Sequence, residues 1–291
     1  MPTAVVLGFQ YGEAVNIVNP LRKLEAAIID VYRACRYSQM QGWKIYLITD
    51  IETPVMPCNI GATISAGIVD IGITTFLRQD LGEDQVKVIS YTVTNSSQFD
   101  KAMNEIVCDD NRCFFYYSGH GVKDAMLLPS RESYNFENIF EMIMKSVKTY
   151  TDSISKPVGN NQIIALVDCC NGCNVSLPFA ISTEKKRFVL QKIPRPRWLN
   201  ERVIWITSST DGMNAEHTEQ GSLFTARFFR LIMEGKYNLS ILLQELRSRQ
   251  DIGQGFYASY LEQPVMYPWF YGSTVDIRPG EDVLRLNTEL F

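Results

Sequence analysis

Residues 163–173 read Ile-Ile-Ala-Leu-Val-Asp-Cys-Cys-Asn-Gly-Cys, and the organisation of the chain can be inferred outward from this stretch. An apolar run this short, closed by Asp, Asn and Gly, indicates a buried parallel strand that ends in a tight turn. In open α/β sheets, ligands bind in the crevice beyond the carboxyl ends of the strands. The three thiols at this strand end, Cys169, Cys170 and Cys173, are therefore candidates for the chemistry of a binding site.

A second strand with a similar ending precedes this one in the chain. The aromatic run over residues 113–118 leads into a turn formed by Gly119, His120 and Gly121. If the two strands are neighbours in a parallel sheet, the imidazole of His120 and a thiol meet at one edge of that sheet. Flanking glycines permit a sharp turn and the close approach of a substrate backbone, which a packed structural histidine does not require. They favour a functional role for His120, one of only two histidines.

Strands and helices alternate along the chain, which predicts an α/β fold with a mostly parallel sheet covered by helices on both faces. Continuous apolar runs predict the strands, and apolar residues at helical spacing predict the helices. We expect strands at residues 3–9, 44–49, 86–93, 113–118, 163–168 and 203–207, and helices at 20–41, 62–81, 97–107, 136–147, from 222 onwards, and at 239–246.

Composition and charge are typical of a soluble globular protein, since 46% of the 291 residues are hydrophobic and 21% are charged. The net charge of −4 gives no electrostatic reason to expect nucleic acid or an anionic membrane as a partner. No apolar stretch approaches the ~20 residues of a membrane span, and no secretory signal is visible. Seven cysteines, an odd number, indicate free thiols in a reducing compartment, so we expect a cytoplasmic protein.

Residues 179–200 differ in composition from the rest of the chain. Six basic side chains stand against a single acidic one, Glu184, and two prolines are present. This composition predicts an exposed linker. The basic residues are Lys185, Lys186, Arg187, Lys192, Arg195 and Arg197.

The cluster of thiols allows three interpretations. Cys170 and Cys173 have the CxxC spacing of a redox pair, although such a pair is expected after an early strand. The three thiols with His120 could bind zinc, but a vicinal pair is an awkward chelate and there is no second CxxC. The best-supported interpretation is nucleophilic catalysis by Cys170, activated by an imidazole on the next strand. Cys169 is expected to point the other way, into the packing of the sheet.

Two motifs resemble the paired signature of the caspase-like cysteine peptidases of clan CD, and of metacaspases in particular. Residues 116–121 read Tyr-Tyr-Ser-Gly-His-Gly and residues 168–172 read Asp-Cys-Cys-Asn-Gly; metacaspases carry Tyr-Ser-Gly-His-Gly and Asp-x-Cys-His-Ser-Gly. The 50 residues from His120 to Cys170 are similar to the ~50 found in caspases. The resemblance covers nearly the whole chain, because residues 24–30, 42–43 and 48–50 resemble the first helix and second strand of metacaspases, and residues 208–225 resemble the start of the small subunit.

The resemblance implies a caspase-type three-layer sandwich with a mostly parallel sheet of about six strands. It implies one peptidase domain over residues 1–291, with a large-subunit-like part (1–179), the basic linker (180–200) and a small-subunit-like part (201–291). Because the first predicted strand begins almost at the first residue, the chain is most similar to a compact metacaspase without a prodomain.

Placed on the matching positions, the resemblance implies a Cys-His dyad that cleaves protein or peptide substrates. Cys170 would attack the scissile carbonyl, and His120 would protonate the leaving amine and then activate water. The backbone N–H groups of Gly121 and Cys170 would form the oxyanion hole. No residue that orients His120 can be named from the sequence.

The resemblance also implies cleavage after Arg or Lys. Metacaspases and paracaspases have Asp two residues before the nucleophile, where caspases have Gln, and this chain has Asp168. Asp30 falls where metacaspases supply a second carboxylate, and two carboxylates would bind a guanidinium by charge-assisted hydrogen bonds. Glu216 occupies the position at which caspases use Arg to bind a substrate Asp. The remaining candidates are Ser118 and Asp211 for substrate binding, and Arg187 and Lys192 for self-cleavage.

The chain departs from the metacaspase pattern where calcium would bind. The acidic insertion after the histidine is missing, since residues 122–130 keep only Asp124, and Ser176 stands where many metacaspases place a calcium-binding Asp. Calcium takes 6–8 oxygen ligands, so we expect a calcium-independent enzyme without metal or cofactor. The nucleophile segment also departs from the pattern, because Asn-Gly-Cys replaces His-Ser-Gly.

Two other functions stay open at this point. One is a catalytically idle caspase-like scaffold or regulatory protein, against which the presence of both His120 and Cys170 argues. The other is a caspase-like protease with a preference for Asp. In each case we expect a monomer rather than a caspase-type dimer, with no nucleic-acid or membrane partner.

Overall fold

The computed structural model describes residues 1–12, 21–24, 27–50, 88–153, 162–170, 177, 179–182, 187–190, 202–209, 214–215, 217–218, 220–233, 246, 255–258, 265–267, 273–276 and 283–286. The predicted helix at 62–81 lies outside these residues, as does all but one residue of the helix expected at 239–246.

The described residues form alternating strands and helices. In chain order these are β1 (Thr3–Gly8), α1 (Ala27–Met40), β2 (Lys44–Thr49), β3 (Val88–Thr92), α2 (Ser96–Asn104), β4 (Arg112–Ser118), β5 (Gly121–Val122), β6 (Ala125–Leu127), β7 (Ser133–Asn135), α3 (Phe136–Ser153), β8 (Gln162–Asp168), β9 (Phe179–Ser182), β10 (Arg187–Leu190), β11 (Arg202–Thr207), β12 (His217–Thr218), β13 (Gly221–Ser222), α4 (Leu223–Met233), β14 (Gly255–Ala258), β15 (Val265–Tyr267), β16 (Ser273–Asp276) and β17 (Val283–Leu286).

Six parallel strands form the centre of the sheet, in the order β3-β2-β1-β4-β8-β11. This confirms the predicted α/β fold with a mostly parallel sheet of six strands. Every residue of β1 and β2 is buried, which explains why these strands are continuous apolar runs rather than alternating patterns. β4 and β8 are direct neighbours, so the strand before His120 lies beside the strand before Cys170.

The sheet continues beyond β11 with antiparallel strands in the order β14-β9-β10-β17-β16-β15. Two of them, β9 and β10, lie within the segment that the sequence predicted to be an exposed linker, so part of this segment forms regular strands. Their sequences, Phe-Ala-Ile-Ser and Arg-Phe-Val-Leu, contain strand-forming side chains that a count of charges passes over.

The candidate self-cleavage site Arg187 is one of the residues in this antiparallel extension. It pairs with Ser182 on one side and with Arg285 on the other. A peptide bond in a strand that is paired on both sides is not available to an active site until the strand leaves the sheet. The second candidate, Lys192, lies outside the described residues.

The first helix begins later than the sequence predicted. Residues 21–24 are not helical, and the backbone N–H of Leu24 donates to the carbonyl of Gln10 at 2.9 Å. α1 begins at Ala27 and is followed by Gly42 at φ 68°, a left-handed conformation that glycine adopts without strain. The apolar spacing from Leu21 onwards therefore reflects packing of a loop as well as of a helix, since Leu21 and Leu24 both pack against the core.

Alternate residues of the central strands face opposite layers of helices. Val5, Phe115 and Ala165 belong to one hydrophobic cluster with residues of α2 and α3. On the other face, Phe114 and Tyr116 have ring contacts with Phe229 of α4. α1 packs on that face, against β1 and α4. The even-numbered side chains of β4 and β8 thus lie on the face of the sheet that α1 and α4 cover. This alternation decides which side chains can meet at the ends of the two strands.

None of the described helices combines the length and the hydropathy that a membrane-spanning helix requires.

Candidate active site

The two strand ends that carry His120 and Cys170 are aligned. In the register of β4 and β8, Ser118 pairs with Asp168, and the N–H of Gly119 donates to the carbonyl of Asp168 at 3.2 Å. His120 and Cys170 each follow this pair by two residues. The parallel register therefore brings the two predicted residues to the same edge of the sheet.

Gly121 lies directly against the segment that carries the thiols. A Cβ atom at this position would lie 2.5 Å from the carbonyl oxygen of Cys170 and 2.6 Å from Sγ of Cys169. Only glycine permits this approach, so the glycine after the histidine is a steric requirement of the site. The structure thus brings the two predicted oxyanion-hole residues, Gly121 and Cys170, into contact.

The segment around Cys170 is held by the end of β11. Oγ of Ser209 donates to the carbonyl of Cys169 at 2.7 Å, and the N–H of Ser208 donates to the carbonyl of Val167 at 3.0 Å. Cys169 is 1% exposed and lies in the core on the α2 and α3 face, while Cys170 is half-buried. As expected from the sequence, Cys169 points into the packing of the sheet.

The surroundings of Cys170 favour the neutral thiol. The N–H of Ala215 donates to its Sγ at 3.4 Å, which stabilises a thiolate. Burial nevertheless raises the pKa of Cys170 above its ordinary value of 9.0, with smaller contributions from Cys169 and Asp168. The thiol therefore needs a base before it can act as a nucleophile.

His120 is oriented by a backbone carbonyl. Its Nε2 lies 2.6 Å from the carbonyl oxygen of Arg22. A carbonyl only accepts hydrogen bonds, so Nε2 must carry the proton and Nδ1 the lone pair of the neutral ring. Burial lowers the pKa of His120 below its ordinary 6.5, and the hydrogen bond to the Arg22 carbonyl only partly offsets this effect. The imidazole is neutral at pH 7 and can accept a proton at Nδ1.

The backbone of His120 is held by two tyrosines. Its N–H donates to Oη of Tyr11 at 2.7 Å, and its carbonyl accepts from Oη of Tyr117 at 2.7 Å. Oη of Tyr11 in turn donates to the carbonyl of Leu127 at 2.9 Å, and its ring lies 4.6 Å from the imidazole, centroid to centroid. Burial raises the pKa of Tyr11, which keeps this donor protonated.

Tyr11 itself is fixed by Asp50, which follows β2 at the same edge of the sheet. The N–H groups of Gln10 and Tyr11 donate to the two carboxylate oxygens of Asp50, both at 2.7 Å. Tyr11 has φ 60°, a conformation that costs a non-glycine residue about 1–2 kcal/mol. Charge-assisted bonds to Asp50 offset this strain. Sequence reasoning missed both residues, although a carboxylate directly after a buried strand was a usable signal at Asp50, as it was at Asp168.

Replacing Tyr11 by Phe tests whether this network positions the imidazole. Tyr11→Phe leaves the N–H of His120 and the carbonyl of Leu127 without partners, while the aromatic contact is retained. We expect kcat for a peptide substrate to fall about tenfold and the acidic limb of the pH profile to shift, with KM nearly unchanged. Tyr134→Phe, which removes a hydroxyl bonded to Asp100, is the matched control. Equal losses in both variants, explained by equal losses of stability, would contradict a positioning role.

Two fully buried carboxylates, Asp30 and Asp168, lie on the α1 and α4 face beside the strand ends. Asp30 accepts from the N–H of Ser222 at 2.9 Å, from Nη1 of Arg33 at 3.1 Å and, more weakly, from Oγ of Ser118 at 3.4 Å. Burial, and next the charge of Asp168, raise the pKa of Asp30 well above its usual range. We call Asp30, Asp168, Ser118, Ser222 and Thr225 the carboxylate cluster.

Asp168 has an unused acceptor within this cluster. Oγ1 of Thr225 donates to its Oδ2 at 2.5 Å, and Oη of Tyr116 lies 2.9 Å from Thr225 Oγ1. Because the Thr225 proton goes to Asp168, Tyr116 is the donor in the second bond. The other oxygen, Asp168 Oδ1, is buried and has no hydrogen-bond partner within the part of the chain that the structure describes. A buried acceptor left unsatisfied costs about 1–3 kcal/mol, which a ligand donor would recover.

The start of α4 closes on the carboxylate cluster. Gly221 has φ 95°, and a Cβ there would contact Asp30 Oδ1 and lie 2.7 Å from Nη1 of Arg33. The structure thus brings together the predicted Asp30, Ser118 and Asp168, and adds Ser222 and Thr225 from the Gly-Ser-Leu-Phe-Thr segment. The predicted Asp211 lies outside the described residues. Within the described ranges, no group of three or more His, Cys, Asp or Glu could hold a metal ion.

Comparison with known proteins agrees with this architecture. A family model of the caspase domain matches residues 70–273, more than half of the chain. Caspase-1 from Spodoptera frugiperda superposes with a TM-score of 0.51 at 10% identity, covering 89% of this chain and 86% of that one. Protein GSU0716 from Geobacter sulfurreducens superposes with a TM-score of 0.52 at 12% identity, covering 94% and 97%. No curated protein sequence matches this one.

A parallel six-stranded sheet with a histidine and a cysteine at adjacent strand ends defines the class of caspase-like proteins of clan CD. The chain belongs to the caspase-domain peptidase family. The likeness to the two solved structures, at 10% and 12% identity, concerns the fold alone.

Proposed function

We propose that this protein is a cysteine endopeptidase in which Cys170 is the nucleophile and His120 the general acid and base. The observation that carries the proposal is the alignment of β4 with β8, which leaves both residues two positions beyond the same paired strand ends. The contact of Gly121 with the carbonyl of Cys170 supports it, because it holds the two turns together.

The protonation states indicate how the reaction would start. The raised pKa of Cys170 and the lowered pKa of His120 leave a neutral thiol and a neutral imidazole at pH 7. Neither nitrogen of the His120 ring hydrogen-bonds to Cys170 Sγ, whose described donor is Ala215. Nδ1 would therefore accept the thiol proton as Sγ attacks the substrate carbonyl. The same proton then passes to the leaving amine, and an acyl-enzyme forms.

Hydrolysis of the acyl-enzyme would reuse the same groups. His120 Nδ1 accepts a proton from water, which attacks the thioester carbonyl, and the proton returns to Sγ as the acid product leaves. The N–H groups of Gly121 and Cys170 are proposed to stabilise the oxyanion in both steps, a contribution of about 2.7–4 kcal/mol per donor. The carbonyl of Arg22 stabilises the imidazolium, because it accepts from Nε2 throughout.

We propose further that the carboxylate cluster selects Arg or Lys on the amino-terminal side of the cleaved bond. Asp30 and Asp168 are two buried carboxyl groups beside one nearby cation, Arg33. Burial and the charge of Asp168 raise the pKa of Asp30, and a bound substrate cation would favour its ionised form. The unpartnered Oδ1 of Asp168 is free to accept from a substrate guanidinium or ammonium. An acidic substrate side chain would meet two carboxylates, which argues against a preference for Asp.

A positional-scanning peptide library tests the activity and its specificity together. We expect wild-type protein to cleave after Arg and Lys, and Cys170→Ala to cleave nothing. Cleavage after Asp instead would contradict the specificity but not the chemistry. A wild-type protein that neither reacts with an active-site alkylator at Cys170 nor cleaves any peptide would contradict the chemistry, and would favour the scaffold function.

Calcium is not expected to be required, because the acidic positions that would build the site are replaced in the sequence. Residues 122–130 keep only Asp124, and Ser176 stands where a ligand would be. We expect the rate of peptide cleavage with excess chelator to equal the rate with millimolar calcium within about twofold, since a hard cation needs 6–8 oxygen ligands. A calcium-dependent rise of about tenfold would contradict this reading of the loop after His120.

A further inference from the structure

His217 lies beside the carboxylate cluster and has no part in the proposed reaction. In the β12–β13 pair it faces Ser222, the residue whose N–H binds Asp30. Its Nδ1 is 3.9 Å from Oδ2 of Asp30, and its side chain is 17% exposed. Both ring nitrogens are buried and have no hydrogen-bond partner among the described residues. Unsatisfied buried nitrogens are unfavourable, and an imidazole beside a carboxylate can pair with that carboxylate when it is protonated.

Among the described residues, Asp30 on α1 faces this ring, and the charged neighbours of Asp30 are Arg33 on α1 and Asp168 at the end of β8. His217 also acts on the pKa of His120, which follows β4. When both carboxylates are ionised and His217 is neutral, the cluster and Arg33 sum to one negative charge, which a single substrate cation balances. With a protonated His217, the cluster is already neutral. The same ring thus competes with the substrate for Asp30.

We propose that His217 is a specificity-determining residue of the carboxylate cluster: its neutral form leaves the cluster open to a cationic substrate side chain, and its protonated form closes it. This inference rests on the proposed peptidase function. An imidazole changes charge between about pH 5 and 8. Selectivity for a basic side chain should therefore be high in mildly alkaline solution and should fall as the pH is lowered.

The test uses a matched pair of peptides that differ only in charge, one with Arg and one with the neutral isostere citrulline before the cleaved bond. The ratio of their kcat/KM values cancels the titration of Cys170 and His120, because both peptides use the same dyad. The ratio is measured from pH 8 to pH 5.5 for wild type, His217→Gln and His217→Arg. Thermal unfolding of each variant confirms that the proteins compared are folded.

We expect the wild-type ratio to fall by about tenfold or more across this range, since one unit of charge beside a buried carboxylate changes binding by at least that factor. In His217→Gln the ratio should stay high and should keep at most a shallower pH dependence, which comes from Asp30. In His217→Arg, which carries a permanent charge, the ratio should be low at every pH.

A ratio that falls as steeply in His217→Gln as in wild type would overturn the proposal and assign the pH dependence to Asp30. Equal losses for both peptides at every pH in both variants would also overturn it, because a merely structural residue does not distinguish Arg from citrulline. If the wild type cleaves neither peptide, the proposed function fails, and the inference fails with it. If the wild type prefers Arg but shows no pH dependence, only the inference fails.

Discussion

Cys170→Ala and His120→Ala are each expected to lower kcat/KM for an Arg peptide by about 10⁴-fold or more, because nucleophile and base act as a unit. The raised pKa of the thiol makes the base necessary, and the Arg22 carbonyl leaves Nδ1 of the ring available for it. The measurement is steady-state cleavage of a fluorogenic peptide, with thermal unfolding as a check on the fold.

Cys169→Ala is the matched control for the nucleophile. Cys169 is adjacent in sequence, but its side chain lies in the core on the opposite face of the sheet. We expect this variant to keep its activity within about threefold and to lose about 1 kcal/mol of stability, the cost of a small cavity. Activity that survives in Cys170→Ala but disappears in Cys169→Ala would show that the nucleophile has been misassigned.

Asp168→Asn is expected to lower kcat/KM for an Arg peptide by about 10²-fold, because the substrate cation loses a desolvated charge partner. The matched citrulline peptide should be cleaved at nearly the wild-type rate. Asp110→Asn, which removes a carboxylate paired with Arg112 near the opposite end of β4, is the control and should change neither rate.

The melting temperature of Asp168→Asn distinguishes a substrate-binding role of Asp168 from a structural one. The carboxylate makes its described side-chain bond to the Thr225 hydroxyl rather than to backbone N–H groups, so it does not cap the turn. Its charge raises the pKa of Asp30, which means that the two carboxylates repel one another. We therefore expect Asp168→Asn to leave the melting temperature unchanged or higher. A lower melting temperature with Arg cleavage unchanged would contradict the assignment of Asp168 to substrate binding.

Much of the fold could be predicted from local patterns. The continuous apolar runs of β1, β2, β4 and β8 identified buried parallel strands because both faces of such a sheet are covered. The start of α2 also follows a local rule, since Asn95 is its N-cap and the Asn95 side chain accepts from the N–H of Gln98. The strands β9 and β10 were missed because each has only four residues. The basic charge of the surrounding segment is a stronger sequence signal than runs of that length.

Some residues of the candidate active site could likewise be predicted from the sequence, and others could not. His120, Cys170, Asp168 and Asp30 could be named from the sequence because reactive and charged side chains have recognisable spacing and neighbours. The groups that orient them could not be named. Arg22 acts through its backbone carbonyl, which every residue possesses, and Tyr11 acts on His120 from 109 positions away in the chain.

Local sequence is enough to predict the strand pattern, the glycine after the histidine and the identity of the reactive groups, since each of these depends on a side chain or its absence within a few residues. The pairing of β4 with β8, in a register that aligns Ser118 with Asp168, arises only when the sheet forms. The folded chain also brings Ser222 and His217 to Asp30, although Ser222 and Asp30 are 192 positions apart in the sequence. Hydrogen bonds and charges act through space, so contacts between distant segments exist only once the sheet has formed.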